Sequence, residues 1–253
     1  MKTDERYRIE QAKWDSLAER ALANDDALYV SGTFHEAARR DPLLVGVAEF
    51  LGDLSGLRVL EYGCGLGKTS VRLARSGAEV SAFDLSPKSV EVARRRADVN
   101  GVAERIDFRV AAGEDLPYAD ESFEAVFGKA VLHHLDVDVA RPELYRVMKA
   151  GSRAAFSEPM GMNPIVNVVR DHLPYPKKTP RGADRPLTYA DIDAWGRPFS
   201  SFEFREVQLI SMLERGLGFG KSLPRLRALD DRVLARWPAA RRYCRYVVMK
   251  MAK

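Results

Sequence analysis

Short apolar runs alternate with helix-type segments along most of the chain. Seven runs are predicted as strands, over residues 57–60, 78–83, 106–110, 125–127, 153–157, 202–210 and 243–251. Helical periodicity is predicted between the early runs, over residues 68–76, 87–99 and 138–149. Strands that alternate with helices in this way predict an α/β fold, in which a mainly parallel sheet is covered by helices on both faces.

Three segments lie outside this alternation. The N-terminal part predicts one helix over residues 4–23 and a second from residue 35 or 41 to residue 51. Residues 160–186 contain five prolines and are expected to form a loop that acts as a lid or substrate wall. Residues 211–240 mix apolar and basic positions, which favours a pair of amphipathic helices with a solvated basic face. An acidic lipid or a phosphorylated substrate is the alternative partner for that face.

The composition is that of a globular protein and does not by itself indicate a function. The chain has 253 residues, of which 46% are hydrophobic and 30% charged, as in an ordinary globular domain. The formal charge of +4 is too small to argue for nucleic acid. No apolar run approaches the roughly 18 residues of a membrane span, and no apolar signal region follows Met1. The two cysteines are too few for a disulfide framework or a zinc motif, so a reducing cytoplasm is expected.

A glycine-rich turn follows the first predicted strand and precedes a helix. Such a turn, at the carboxyl end of a strand, is where open α/β sheets bind nucleotides. A phosphate-binding P-loop needs a glycine five positions before Gly67, where this chain has Tyr62. A dinucleotide fingerprint needs a glycine three positions after Gly65, where this chain has Lys68. The pattern that remains is acid-x-Gly-x-Gly-x-Gly, formed by Glu61, Gly63, Gly65 and Gly67.

An acidic residue ends the second predicted strand. Asp84 follows the glycine turn by about 20 residues, the spacing at which a carboxylate accepts hydrogen bonds from the ribose hydroxyls of a bound nucleoside. Ser86 and Pro87 already supply a helix N-cap and first turn, so capping does not explain Asp84. Leu85 is expected to pack on the adenine face.

The glycine turn resembles motif I of the class I S-adenosylmethionine (SAM) dependent methyltransferases. The stretch Glu114 to Tyr118 and the Ser122-Phe123-Glu124 that follows resemble the adenine-site loop and next strand of the small-molecule members. The resemblance implies a doubly wound, Rossmann-like sheet of seven strands, with the seventh antiparallel between the fifth and sixth, and SAM as cofactor. The cofactor-binding residues that it implies are Glu61, Tyr62, Gly63, Cys64, Gly65, Gly67, Asp84, Leu85, Gly113, Glu114, Asp115 and Lys129.

The adenine-site loop departs from the family at one position. Many relatives have an acid where this chain has Ala112. The contact to the adenine amino group is therefore assigned to Glu114, to Asp115 or to backbone carbonyls.

Two histidines follow the fourth predicted strand. The run Leu132-His133-His134-Leu135 resembles the ubiquinone and menaquinone type of methyltransferase. The Asn/Asp-Pro-Pro-aromatic motif of enzymes that methylate nucleic-acid bases is absent from this position. Since histidine takes a proton near neutral pH, His133 and His134 are candidates for a catalytic base. The alternative is that one of them packs in the core or against the cofactor.

The substrate side is assigned by the same resemblance. Family members place N-terminal segments over the cofactor, which predicts a helical lid in residues 1–56 and a SAM-binding domain in residues 57–253, with substrate-side inserts at about 160–187 and 211–240. The candidate substrate residues are Trp14, Tyr29, His35, Glu158, His172 and Tyr175. For the aromatic residues, ordinary packing is the alternative role.

The function expected from these features is methyl transfer from SAM to an oxygen, carbon or nitrogen atom of a small, partly apolar acceptor, aromatic or lipid-like. The expected partners are this acceptor and no nucleic acid, and a homodimer is possible. The alternatives are an RNA or protein methyltransferase, favoured by the basic C-terminal third, and a SAM-binding scaffold without catalysis. Lys68 at the third glycine position of the dinucleotide fingerprint disfavours a dehydrogenase.

Overall fold

A seven-stranded sheet forms the centre of the molecule. In the computed structural model, which describes residues 3–22, 28–172, 185–213 and 224–253, the strand order is β3-β2-β1-β4-β5-β7-β6. The strands are β1 Arg58–Tyr62, β2 Glu79–Asp84, β3 Ile106–Val110, β4 Phe123–Lys129, β5 Met148–Pro159, β6 Ser201–Val207 and β7 Tyr246–Ala252. The first five strands pair in parallel, and β7 is antiparallel to both β5 and β6. The predicted fold class is confirmed.

Helices cover both faces of the sheet. They are α1 Thr3–Leu22, α2 Phe34–Arg40, α3 Val47–Leu51, α4 Lys68–Arg75, α5 Pro87–Val99, α6 Val137–Val147, α7 Pro164–His172, α8 Tyr189–Gly196 and α9 Pro224–Arg236. Successive side chains of a strand point to opposite faces, so Val59 packs into one buried cluster and Leu60 into the other. Among the described residues, no helix is both long and apolar enough to cross a membrane.

The second predicted N-terminal helix is broken into three pieces, so its prediction as one helix was wrong. A 3-10 helix, Pro42–Leu44, separates α2 from α3. The break follows from the sequence: Asp41 precedes a proline and accepts a hydrogen bond from the backbone nitrogen of Leu43 at 2.9 Å, while Gly46 has a φ of 69°. The first helix was predicted correctly to within one residue at each end.

The first predicted insert contains a helix that the sequence pattern did not indicate, and the second contains one of the two helices that it predicted. Helix α7 lies within the predicted loop and begins after Asn163, whose side-chain oxygen accepts from the backbone nitrogens of Ile165 and Val166. In the second insert, α9 and a 3-10 helix, Pro238–Tyr243, are described, whereas residues 214–223 and 173–184 lie outside the described residues.

Strand β6 ends three residues earlier than predicted. The backbone nitrogens of Leu209, Ile210 and Ser211 point to the carboxylate of Asp230 on α9, at 2.6 to 3.3 Å, instead of to a neighbouring strand. A side chain 20 residues away in sequence therefore ends the strand, which local periodicity does not indicate.

Gly67 allows α4 to pack closely on α5. It precedes α4 with a φ of 75°, and a Cβ atom at this position would lie 2.6 Å from the Cβ of Ala93. We expect Gly67→Ala to lower the free energy of unfolding by about 2–5 kcal/mol, combining left-handed strain with steric overlap. Gly101, with a φ of 68° and no atom of the described residues within 4 Å of its missing Cβ, is the control.

Comparing Gly67→Ala with Gly101→Ala separates the steric overlap with Ala93 from the strain of the left-handed backbone conformation. Gly101→Ala should lose only the strain of about 1–2 kcal/mol in urea unfolding. Equal losses in the two variants would mean that close packing at Gly67 is unimportant.

Candidate active site

A cavity opens at the carboxyl ends of β1, β2 and β4, where the sequence predicts a nucleoside site. Its volume is about 440 Å³, within the range of roughly 300–1,000 Å³ typical of small-molecule sites. The wall comes from α1, the glycine turn, the ends of β2 and β4 and the loops after β3 and β4. Its residues are Tyr7, Glu10, Trp14, Glu61, Gly63, Cys64, Gly65, Leu66, Lys68, Thr69, Phe83, Asp84, Leu85, Ala111, Ala112, Gly113, Glu114, Lys129, Ala130, Val131, His134 and Leu135.

The glycine turn exposes bare backbone to this cavity. Gly63 has a φ of 73°, and a Cβ atom there would lie 2.6 Å from Cγ2 of Val131, so a larger residue would push the loop after β4. A Cβ atom on Gly65 would lie 3.4 Å from the ring of Trp14, which covers the turn from α1. The turn is fixed to β2 because the nitrogen of Cys64 donates to the carbonyl of Phe83 at 2.8 Å.

Asp84 closes the turn from the neighbouring strand. Its Oδ2 accepts from the backbone nitrogen of Gly65 at 2.8 Å, and its Oδ1 accepts from that of Ser86 at 3.0 Å. Burial raises the pKa of this carboxyl, and the residue is only 8% exposed. Each oxygen has a second lone pair, so Asp84 can still accept from two neighbouring hydroxyls of a ligand.

Glu61 lies beneath the turn, and its carboxylate accepts a hydrogen bond from the hydroxyl of Ser70 on α4. Burial raises its pKa to about 8, the nearby charge of Asp84 adding to the effect. An ordinary glutamate releases its proton near pH 4.5, so between pH 4.5 and about 8 the folded protein holds a proton that the unfolded chain has lost. Through this group, the free energy of unfolding therefore falls as the pH rises across that window.

This linkage predicts that Glu61→Gln reduces the pH dependence of stability. The glutamine keeps a carbonyl acceptor for Ser70 but has no proton to release. In urea unfolding between pH 5 and pH 8, the unmodified protein should lose stability as the pH rises, and the variant should lose clearly less. An unchanged slope in the variant would show that Glu61 is not the group that titrates.

The loop after β3 forms the far end of the cavity. Gly113 and Glu114 line it, and Glu114 also accepts from the backbone nitrogen of Asp136 at 3.1 Å. Asp115 is exposed and is not part of the wall, which leaves Glu114 and backbone carbonyls for the predicted adenine contact. Tyr62 is fully buried behind the wall, where its hydroxyl donates to the carbonyl of Gly113 at 2.5 Å and supports this loop.

The two predicted catalytic histidines lie in a 3-10 helix, Leu132–His134, directly after β4. His134 lines the cavity, whereas His133 lies behind it and is not part of the wall. The Nδ1 atom of His133 is 2.7 Å from Oε2 of Glu158, which is fully buried at the end of β5. The two imidazole rings are in contact, with centroids 3.9 Å apart.

Glu158 therefore holds the histidine turn instead of facing a substrate. Its Oε1 accepts from the backbone nitrogens of Val131 at 2.9 Å and Leu132 at 3.1 Å, in addition to the contact with His133. The sequence placed Glu158 at a strand tip and predicted a substrate contact. The structure shows a buried carboxylate that orients the backbone and one imidazole.

Other predicted residues are found at several places in the molecule. Trp14, Cys64, Leu85 and Lys129 line the cavity, and Lys129 also pairs with Asp41, with 2.5 Å between Nζ and Oδ2. Gly67 packs against α5 outside the wall. Of the predicted substrate residues, Tyr29 is 66% exposed, His35 bonds to the carbonyl of Gly52 at 2.7 Å, His172 is exposed at the end of α7, and Tyr175 lies outside the described residues.

Helix α1 contributes two wall residues that the sequence analysis did not select. Tyr7 and Glu10 line the cavity together with Trp14, and Lys68 lines it from the start of α4. The signal was present, because residues 7, 10 and 14 follow the three-and-four spacing of one helix face. Glu10 was missed because an acidic residue interrupts the apolar pattern of that face.

Comparison with known proteins identifies the kind of domain that contains this cavity. A family model described as a methyltransferase domain matches residues 60–156, which run from β1 through the glycine turn and Asp84 to β5. Over these residues the chain is a methyltransferase domain, of the class I SAM-dependent type that its motifs resemble. SAM is the cofactor of this family, as the sequence predicts.

Curated relatives and a solved structure support this assignment. The chain is 34% identical over 148 residues to methyltransferase GfsG of Streptomyces halstedii, covering 55% of this chain and 52% of that protein. It is 45% identical over 87 residues to the ubiquinone biosynthesis O-methyltransferase of Methylocella silvestris, covering 34% and 33%. The chain thus spans about half or less of these relatives. A geranyl diphosphate methyltransferase solved with SAM has the same fold, with a TM-score of 0.62, 16% identity and coverage of 86% and 84%.

The described residues fit a bound SAM molecule. Asp84 would offer two oxygens to a ribose with Leu85 beside it, and Gly113 and Glu114 would lie at the adenine end. Gly63 and Gly65 place backbone without a side chain in the cavity wall, where a cofactor would lie against it. His134 and Lys129 lie where β4 ends, next to the first strand.

Proposed function

We propose that this methyltransferase moves a methyl group from SAM to an oxygen, carbon or nitrogen atom of a small, partly apolar acceptor, and that oxygen is the favoured atom. The observation that carries the proposal is His134 in the cavity wall, packed on a second histidine that Glu158 holds. A hydroxyl acceptor must lose a proton as the new bond forms, and histidine is the side chain that accepts a proton near neutral pH.

The residues divide the work between binding and proton transfer. SAM supplies an electrophilic methyl group when it is bound. Asp84 and the glycine turn hold the nucleoside, which fixes the direction from which an acceptor can approach. His134 accepts the proton of the acceptor hydroxyl, and His133 is a positioning residue, because Glu158 fixes its ring against that of His134.

The apolar part of the wall supports the choice of acceptor. Tyr7, Trp14, Leu66, Val131 and Leu135 line the same cavity and provide contacts for an aromatic or lipid-like molecule. The oxygen preference is also supported by a relative, since the Methylocella silvestris protein is named an O-methyltransferase of ubiquinone biosynthesis. The lid role of residues 1–56 belongs to the same proposal, because α1 carries three residues of the wall.

A labelling experiment tests the proposal. The protein is incubated with SAM carrying a trideuterated methyl group and, separately, with hydroxylated aromatic and isoprenoid molecules, with RNA and with protein. Mass spectrometry should find the label on oxygen in a small acceptor and in neither macromolecule. Transfer to RNA or protein would replace the proposal by the alternative enzyme. Tight SAM binding without transfer across these classes would favour a scaffold.

A further inference from the structure

Glu10 is a buried carboxylate in the cavity wall. It lies on α1, is 7% exposed, and is held from two sides. Its Oε1 accepts from the indole nitrogen of Trp14 at 2.6 Å and is 3.4 Å from Nε2 of His134. Lys13 also approaches this oxygen, at 3.4 Å. The carboxylate is thus fixed over the cavity by neighbours that all contact the same oxygen.

The second oxygen of Glu10 is different. Oε2 is buried and has no hydrogen-bond partner among the described residues. Leaving a buried carboxylate oxygen without a donor costs free energy, so such a group calls for a ligand or another explanation. The terminal torsion of a glutamate is soft, and a small rotation turns this oxygen towards the cavity that the residue already lines.

Glu10 faces the same region as Asp84. After the dominant effect of burial, the charge of Glu10 contributes to the raised pKa of Asp84, which shows that the two carboxylates interact. Asp84 is in turn bonded to Gly65, and Trp14, the partner of Glu10, covers that glycine. Two carboxylates therefore approach the glycine turn, one from β2 and one from α1.

We propose that Glu10 is a second ribose-binding carboxylate, whose Oε2 accepts a hydrogen bond from a hydroxyl of the nucleoside that Asp84 also binds. A ribose offers two neighbouring O–H donors, which two carboxylates can share, and hydrogen bonds to a charged acceptor are stronger than neutral ones. The inference rests on the proposed function, because it takes SAM as the ligand. It explains why a charged side chain lies in the otherwise apolar face of α1.

The test compares Glu10→Gln with Glu19→Gln on the same helix. Glutamine keeps a carbonyl for Trp14 but removes the charge, whereas Glu19 is exposed and pairs with Lys88 at the surface. Calorimetric titration of each protein with SAM, S-adenosylhomocysteine and 5′-methylthioadenosine should show a Kd at least about tenfold higher for Glu10→Gln with all three ligands. Glu19→Gln should match the unmodified protein, and the melting temperature of ligand-free Glu10→Gln should not fall.

Deoxy ligands assign the contact to the ribose. With the 2′-deoxy or the 3′-deoxy form of 5′-methylthioadenosine, one hydroxyl is missing, and the effect of Glu10→Gln should disappear for at least one of them. The inference would be overturned if Glu10→Gln still raised the Kd of both deoxy ligands. It would also be overturned if the variant raised the Kd of SAM but not that of 5′-methylthioadenosine, or changed neither. If the unmodified protein binds none of the nucleosides, both the proposed function and the role of Glu10 fail. If the unmodified protein and Glu10→Gln bind SAM with the same Kd, only the role of Glu10 is overturned.

Discussion

Replacing Asp84 by alanine is expected to raise the Kd for SAM by about tenfold to a hundredfold. The side chain is 8% exposed at the end of β2, and each of its oxygens has one lone pair left after binding Gly65 and Ser86. With one ribose hydroxyl donating to Asp84 and the other to Glu10, the lost hydrogen bond to the Asp84 carboxylate, at about 1.5–3 kcal/mol, corresponds to that factor. Calorimetric titration with SAM measures the change directly.

The control separates binding from folding. Alanine at position 84 also leaves the backbone nitrogens of Gly65 and Ser86 without their acceptor, which we expect to lower the free energy of unfolding by about 1–3 kcal/mol. Asp84→Asn keeps one carbonyl acceptor and should fold more stably than the alanine variant, while its SAM affinity still falls. A folded Asp84→Ala protein that binds SAM normally would contradict the position of the ribose.

His134→Ala is expected to lower kcat by about a hundredfold to ten-thousandfold once an acceptor is found, the usual contribution of a general base. His134 lines the cavity directly after β4, and its ring lies on that of His133, which Glu158 holds. The Kd for SAM should change little, since Asp84 and the glycine turn carry the nucleoside contacts. Steady-state kinetics and calorimetry on the same preparation separate the two effects.

A second histidine variant tests how the pair works. His133 is not part of the wall, so His133→Ala should reduce kcat less than His134→Ala and should shift the pH dependence of kcat through its contact with Glu158. Near-normal turnover by His134→Ala would remove His134 as the base. A larger loss for His133→Ala than for His134→Ala would reverse the two roles.

Much of the fold could be predicted from local sequence patterns. The strands of the parallel core are short apolar runs, and β1, β2 and β4 are each followed by a turn and a helix, so their order was visible before the structure. What failed depends on contacts between distant residues. Asp230 ends β6 from a helix 20 residues later, and Asn163, which starts α7 in a proline-rich stretch that indicated a loop, donates to the distant carbonyl of Tyr243.

In the candidate site, too, local spacing predicted some residues, whereas others depend on tertiary packing. Gly63, Gly65 and Asp84 line the cavity as predicted, because spacing along β1 and β2 sets their positions. Tyr62 belongs to the same motif but faces the protein interior, since alternate residues of a strand point in opposite directions. Gly67 packs against Ala93 of α5 instead of lining the cavity. The position of Glu10 in the wall and the role of Glu158 depend on how α1 and β5 pack against the loop after β4. No single segment of the sequence encodes that packing.

The central claim is that the cavity beside Asp84 binds SAM, and calorimetric titration of the unmodified protein tests it most directly. SAM and S-adenosylhomocysteine are compared with NAD and ATP under the same conditions. The account predicts micromolar binding of the two sulfur nucleosides and none of the others. Equal binding of ATP or NAD, or no binding of either sulfur nucleoside, would contradict it.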